Sequence, residues 1–229
     1  MNSDNYYPLI SIKDPTEAMI EAMKIFSYNF NQKDFVTIAN VYHQIINLFK
    51  GRFKGYKACN TEYHDIHHTI DAFIAVLRIV DGYFIAGNKL DENIVINLLI
   101  ATLLHDTGYI QEESDTEGTG AKYTKTHVLR SVEFLKKNYK ILKVNVNDID
   151  LISNIIQCTG IKVDWDKIKL NDENKIAGAM LGTADLIGQM ADRNYLEKLL
   201  FLYYEFQEAQ IPGFNTEFDI IKNTINFYN

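Results

Sequence analysis

Long stretches of this chain run without a glycine or proline, and the apolar residues inside them return every three or four positions. Twelve glycines and three prolines in 229 residues leave few places for tight turns. A helical protein is therefore favoured over a sheet protein built from many hairpins. Hydrophobic residues make up 47% of the chain, enough at this length to fill one sizeable core. No shift in composition marks a second domain, so the expectation is a single all-α domain over residues 1–229, folded as a helical bundle.

Helix-start signals recur. Asp14, Pro15 and Glu17 supply an N-cap, a proline at the first helical position and a capping-box acid ahead of Ala18, Ile20, Met23 and Ile25. Asn147 with Asp150, and Asn194 with Glu197, repeat the idea. Helices are predicted near 15–29, 33–50, 63–85, 92–106, 119–138, 148–158, 173–191, 194–209 and 216–227. ILKVNVN at 141–147 is the one run that also reads as a strand.

A formal net charge of -7 argues against a nucleic-acid backbone or an anionic membrane as the main partner, since both reward clustered Lys and Arg. A small anionic substrate stays open. No apolar run reaches the roughly 18 to 20 residues that span a bilayer. The opening MNSDNYYPLISIKD lacks the basic and apolar regions of a secretory signal. A cytoplasmic protein is expected. Cys59 and Cys158 form no CxxC or zinc pattern and read as free thiols.

Five of the six histidines, His64, His67, His68, His105 and His127, keep company with Asp65, Asp71, Asp106 and Asp185. Imidazole and carboxylate together hold divalent cations that activate water. On the 63–85 helix, Ile66, Ile70, Phe73, Leu77, Val80 and Phe84 form a core stripe. His64, His68, Asp71 and Ala75 lie nearly opposite, in a stripe without Lys or Glu that faces something other than bulk water. His67 falls between the stripes, to pair with Asp71 or a backbone group. A surface histidine cluster is the bland alternative.

INLLIATLLHDTGY is apolar almost all round, and Ile94, Leu98, Ala101 and His105 share a stripe that carries the histidine inward. Asp106 beside it must be paired or bind a cation, because an isolated buried carboxylate costs several kcal/mol. For both to reach one ion they must straddle the helix side facing it, with Gly108 ending the helix. In KIAGAMLGTADLIGQMADR, Gly178, Gly182 and Gly188 with three alanines make a wall of small residues, and Asp185 on that face is better explained as a ligand than as a surface group. Asp192 and Arg193 read as a polar helix end, and FLYYEF at 201–206 as a packing face before a base pocket. The acidic run from Glu112 to Gly120 is either a lid or a solvated connector.

These residues resemble a known superfamily. YHDIHHTID at 63–71 looks like the tyrosine–His–Asn–x–x–His–Ala–x–Asp signature of cyclic-nucleotide phosphodiesterases, with Asp65 for the asparagine and Thr69 for the alanine. LLHDTGY at 103–109 is similar to the His-Asp motif of HD-domain metal-dependent phosphohydrolases, and the aspartate of GTADLIGQMADR completes the order His, His-Asp, Asp over residues 63–192. The Gly-Tyr-Pro signature of cyclic-dinucleotide hydrolases does not follow HDTGY, and Gln207, Gln210, Phe206 and Phe214 do not form a clear purine clamp.

The resemblance implies an HD/phosphodiesterase-type bundle in which His68, His105, Asp106 and Asp185 bind a first metal and Asp106 bridges toward a second. It makes His64 the general acid, and it offers His127 for a second metal or a substrate phosphate. The bland alternative for His127 is a bond to Ser131 or solvent. Arg130 could contact a phosphate or form a surface ion pair. The implied reaction is hydrolysis of a phosphate ester or diester, such as a nucleotide or cyclic nucleotide, by metal-activated water. Zn, Mn, Fe or Co suits the first site and Mg or Mn a second. Two other readings stand beside it, an HD-type di-iron oxygenase and a non-catalytic metal-binding regulatory domain.

Overall fold

The computed structural model describes residues 14–160, 163–192 and 194–223. Among the described residues there are nine α-helices and no strand. They are α1 (Pro15–Phe26), α2 (Val36–Phe49), α3 (Ile66–Ile85), α4 (Glu92–Leu104), α5 (His127–Leu142), α6 (Ile149–Ile156), α7 (Asp172–Met190), α8 (Tyr195–Glu208) and α9 (Glu217–Asn223). The opening segment read for a secretory signal lies outside the described residues up to position 13, as do Arg193 and the end of the predicted 216–227 helix from 224 onward.

The start of α1 follows its sequence signal. Asp14 accepts from Thr16 N at 2.8 Å and Pro15 takes the first helical position, satisfying orphan donors where a missing N–H costs nothing. ILKVNVN forms no strand. α5 runs to Leu142, Lys143 turns to a left-handed φ of 56°, and Val144 N donates back to Tyr139 O, the closing bond of a Schellman-type cap. Asn145, rather than Asn147, then caps the short turn that leads into α6.

α4 is the axis of the bundle. It is buried on every side and packs against α2, α3, α6 and α7, which is what its unbroken apolar sequence requires. The most extensive contact in the fold is between α3 and α7. Gly188 permits it, since a Cβ there would come 3.0 Å from Ala72 N; Gly178 does the same for the chain just after α6, where a Cβ would meet Cys158 Sγ at 2.4 Å. α8 and α9 carry a separate small cluster of Leu199, Leu202, Phe206 and Ile220, joined to the rest through Tyr63. The FLYYEF face is thus half packing and half surface, with Phe201 and Tyr204 exposed.

Of the boundaries that differ from the sequence reading, three bear on the site. α3 begins at Ile66, three residues late, because the Asp65 carboxylate accepts from His68 N at 2.9 Å and fixes the cap there. α4 stops at Leu104 with His105 as its cap, so the chain has left the helix at Asp106. α5 starts at His127, since 119–126 is spent on a 3-10 turn (Gly120–Tyr123) and a connector.

Gly108 does not end a helix; it lies in the Thr107–Tyr109 turn, pressed against the start of α5, where a Cβ would fall 1.9 Å from His127 O. Gly108→Ala should cost about 3 kcal/mol or more, lowering the melting temperature by roughly 6–12 °C. Gly82→Ala, on an exposed turn of α3 with nothing within 4 Å, should instead stabilise by about 0.5–1 kcal/mol. Thermal and urea unfolding of both variants check the pair.

Candidate metal centre

Four elements deliver the expected residues to one place. The Asp65 cap sends His68, one turn into α3, down into the bundle, where it is 4% exposed. His105 enters from the end of α4, Asp106 from the turn after it, His127 from the first position of α5 and Asp185 from the middle of α7.

Two backbone carbonyls fix imidazole orientation. His105 Nδ1 lies 2.7 Å from Thr102 O and His127 Nδ1 lies 2.8 Å from Thr124 O. In each ring Nδ1 therefore carries a proton and Nε2 turns inward. His68 Nε2 stands 3.0 Å from Asp185 Oδ1 and 3.2 Å from Asp106 Oδ2. His105 Nε2 stands 3.6 Å and 3.2 Å from the same two oxygens. Yet His68 Nε2, His105 Nε2 and Asp106 Oδ2 are buried atoms without a hydrogen-bond partner, because those approaches lack hydrogen-bond geometry. Buried polar atoms are normally satisfied, so three orphans converging on one point make a place that a cation could fill.

Ligand atoms of His68, His105 and Asp185 lie within 4.8 Å of one another, so this group could hold a metal ion. Asp106 adjoins it through Oδ2, while its Oδ1 faces His127 Nε2 at 3.8 Å. Both residues of the His-Asp pair reach the group because the backbone leaves the helix between them, not because they straddle a helical face.

The electrostatics follow from burial among opposite charges. Burial opposes protonation of His68, but Asp106 and Asp185 outweigh it and push its pKa up to about 9. His105 is raised well above its usual value, burial again being overcome by Asp106 and Asp185. Burial works to raise Asp106 and Asp185, yet His105 and His68 hold both carboxyls well below the ordinary range. His127, by contrast, is lowered, with burial the leading cause.

His64 is not on the helix. It lies in the loop just before the cap, so the stripe of His64, His68, Asp71 and Ala75 loses its first member. Its Nδ1 is 2.5 Å from Glu205 Oε2, and Glu205 Oε1 accepts from the backbone N–H of Tyr63 at 2.7 Å and of His64 at 3.3 Å. The other face of His64 stacks on Tyr109 at 4.2 Å between ring centroids, and Tyr109 stacks in turn on His127 at 4.5 Å. The Tyr109 hydroxyl lies 3.4 Å from His64 Nε2.

Other expectations resolve differently. His67 pairs with neither Asp71 nor a backbone group through Nδ1, which is buried without a partner. Ser131 serves His105, donating to its carbonyl at 2.6 Å and accepting from Gly108 N, rather than bonding His127. Arg130 forms no ion pair among the described residues. It donates to Gly108 O and Ile110 O and lies over the Tyr123 ring at 3.5 Å, clamping the turn that carries Asp106.

The acidic run is not a loose connector. Asp115 accepts from Lys122 at 2.6 Å and from Tyr123 and Gln111, and Glu208 of α8 accepts from Thr119 N and Oγ1. The Gln207 side-chain amide is committed to Phe214 O, and Lys125 donates to the backbone carbonyl of Gln210.

Glu205, Tyr109 and Gln189 were not singled out from the sequence. Glu205 left one signal, an acid placed among the buried Leu199, Leu202 and Phe206 of α8. Gln189, one turn beyond Asp185, brings Nε2 to 3.3 Å from Asp185 Oδ1 and accepts from the Tyr63 hydroxyl.

A family model described as Npun_R2479-like matches residues 112–229. The chain belongs to the Npun_R2479-like family. The Npun_R2479-like match takes in His127, Asp185, Gln189 and Glu205 and stops short of His64, His68, His105 and Asp106. No curated protein and no solved structure matches the chain. Among the described residues no helix is long and apolar enough to cross a membrane.

Two measurements follow. Protein equilibrated with Mn or Zn and desalted should retain about one ion per chain by elemental analysis, and His68→Ala, His105→Ala and Asp185→Ala should each lose it. Retention by all three variants would refute the centre. Asp71, on α3, is raised to about 6, chiefly by burial and against the pull of Lys198. Its folded pKa exceeds the ordinary value near 3.9, so the stability it contributes is complete below about pH 4 and is lost as pH rises through about 6. Asp71→Asn should therefore stabilise the fold at pH 8 by on the order of 1–2 kcal/mol and do nothing at pH 4, as read by urea unfolding.

Proposed function

We propose that the protein is an HD-type metal-dependent phosphohydrolase acting on a phosphate ester or diester, with a nucleotide or cyclic nucleotide as the substrate class. The observation that carries this reading is the convergence of three orphaned buried atoms, His68 Nε2, His105 Nε2 and Asp106 Oδ2, beside Asp185 and next to a histidine held by its own carboxylate. The order His, His-Asp, Asp along the chain supports the HD type.

The donor set fits a divalent cation. His68, His105, Asp106 and Asp185 would hold it, with His127 and the second oxygen of Asp106 available to a further ion. Mixed imidazole and carboxylate donors suit Zn, Mn, Fe or Co, and a bound ion of this kind supplies water activation and neutralises phosphoryl charge.

The chain's own groups do the rest. Glu205 accepts from His64 Nδ1 and from two backbone N–H groups, which fixes the orientation of the ring. Nε2, the ring nitrogen that Glu205 does not hold, is the atom from which a proton goes to the departing alcohol oxygen, the work of a general acid. Tyr109 stacked against the ring limits its swing. With His68, His105 and Tyr109 all buried, solvent has little entry, and charge developing on phosphate oxygens meets a medium in which fixed cations act strongly.

His64→Ala separates this reading from a regulatory metal domain. Turnover of a generic phosphodiester or of a cyclic-nucleotide panel should fall by about 100-fold or more while metal content stays the same. Unaltered turnover would refute the general-acid role. A visible charge-transfer band in aerobically purified protein, with no phosphate release, would point to the di-iron oxygenase instead.

A further inference from the structure

We propose that Gln189 is a positioning residue for Asp185 and that Tyr63 sets the direction of its amide. The proposal rests on the metal-centre reading above. Gln189 Nε2 lies 3.3 Å from Asp185 Oδ1, the same oxygen that stands 3.0 Å from His68 Nε2. A carboxamide can present either end to a neighbour, and only its hydrogen-bond network decides which. Here the deciding partner is the Tyr63 hydroxyl, which donates to Gln189 Oε1. With the amide reversed, a carbonyl oxygen would face a carboxylate oxygen, and the phenol proton would lose its acceptor in a site where Tyr63 is 3% exposed.

The relay therefore runs one way, from Tyr63 Oη–H to Gln189 Oε1 and from Gln189 Nε2–H to Asp185 Oδ1. One lone pair of Oδ1 is committed to the amide, and the carboxylate is held at a fixed rotation about its χ angles. A carboxylate held like this offers its remaining lone pairs to a cation with less entropy to lose.

Tyr63 is itself immobilised on every side. Its ring stacks on His68 at 6.0 Å and meets His64 at 4.9 Å, its N–H donates to Glu205, and its apolar edge belongs to the cluster of Leu199, Leu202, Phe206 and Ile220. One residue of the loop before α3 thus reaches a ligand on α7 while packing beneath α8.

The test is the dissociation constant for Mn and for Zn, measured by calorimetry or against a chromophoric chelator, on the full chain and on Gln189→Leu, Tyr63→Phe and the double variant. Melting in EDTA is recorded alongside. Gln189→Leu should weaken binding about tenfold, and Tyr63→Phe by roughly three- to tenfold. The double variant should be no weaker than Gln189→Leu alone, since Tyr63 acts through Gln189. That non-additivity is what a merely structural contribution would not give. Wild-type affinity in Gln189→Leu, or losses that multiply in the double variant, would overturn the relay and leave the metal centre standing. Wild-type protein that binds neither ion would overturn both. Tyr63→Phe keeps the ring and removes one atom, so the proposal remains testable if Gln189→Leu does not fold.

Discussion

Two carboxylates, Asp106 and Asp185, sit among three imidazoles in the interior of a helical bundle, and the rest of the fold is arranged around the need to balance them. Asp106 is 2% exposed, and the Asp185 side chain only 20%. Unpaired, a charge in such a place is costly enough to offset a large part of a domain's stability. Without a cation, balance comes from protons, which is why His68 and His105 are driven up and both carboxyls down. With a divalent cation the same imidazoles would bind through neutral Nε2. The carbonyls of Thr102 and Thr124 already hold His105 and His127 in the tautomer that this requires.

Balancing charge from four separate elements makes the centre a cross-link as well as a site. α3, α7, the end of α4 and the start of α5 each contribute one group or more, and the turn that follows α4 is held by three independent ties. Arg130 donates to two of its carbonyls, Ser131 bridges His105 O and Gly108 N, and Gly108 lies directly against His127. Such redundancy around Asp106 is what placement of a buried carboxylate to within a few tenths of an ångström demands. The axis for all of it is α4, whose apolar surface is covered on every side and which therefore has no freedom to shift the histidine at its tip.

How much of this was legible in the sequence depended on the range of the interaction involved. His68, His105 and Asp185 could be read because each stands at a helical spacing within an apolar or small-residue setting, and periodicity carries that information locally. His64 was misplaced by a boundary. A run of YHDIHH reads as helix from the tyrosine by pattern alone, and the start is decided by a single hydrogen bond from the Asp65 side chain to His68 N. Asp106 was expected to straddle a helix that in fact ends two residues earlier. Glu205 and Gln189 escaped because their meaning lies in partners 141 and 126 residues away, His64 and Tyr63, and no local pattern encodes such a distance. The helical bundle itself was accessible from the scarcity of turn formers; its 3-10 segments, which set the exact ends, were not.

The division of the site along the chain carries a consequence for what counts as a unit. The Npun_R2479-like match spans residues 112–229 and holds α5 to α9, and with them Asp185, Gln189, Glu205 and His127. Every one of these side chains is completed by a residue before position 112. Asp185 faces His68 and His105, Gln189 accepts from Tyr63, Glu205 holds His64, and His127 faces Asp106. The Gly188 end of the small-residue face of α7 is likewise covered by α3. Residues 112–229 on their own would expose that face to water and leave the Asp185 carboxylate without its imidazoles. The matched segment is therefore one side of a structure whose other side is the start of α3 with the loop before it and the His-Asp turn, and the candidate metal centre forms where the two meet.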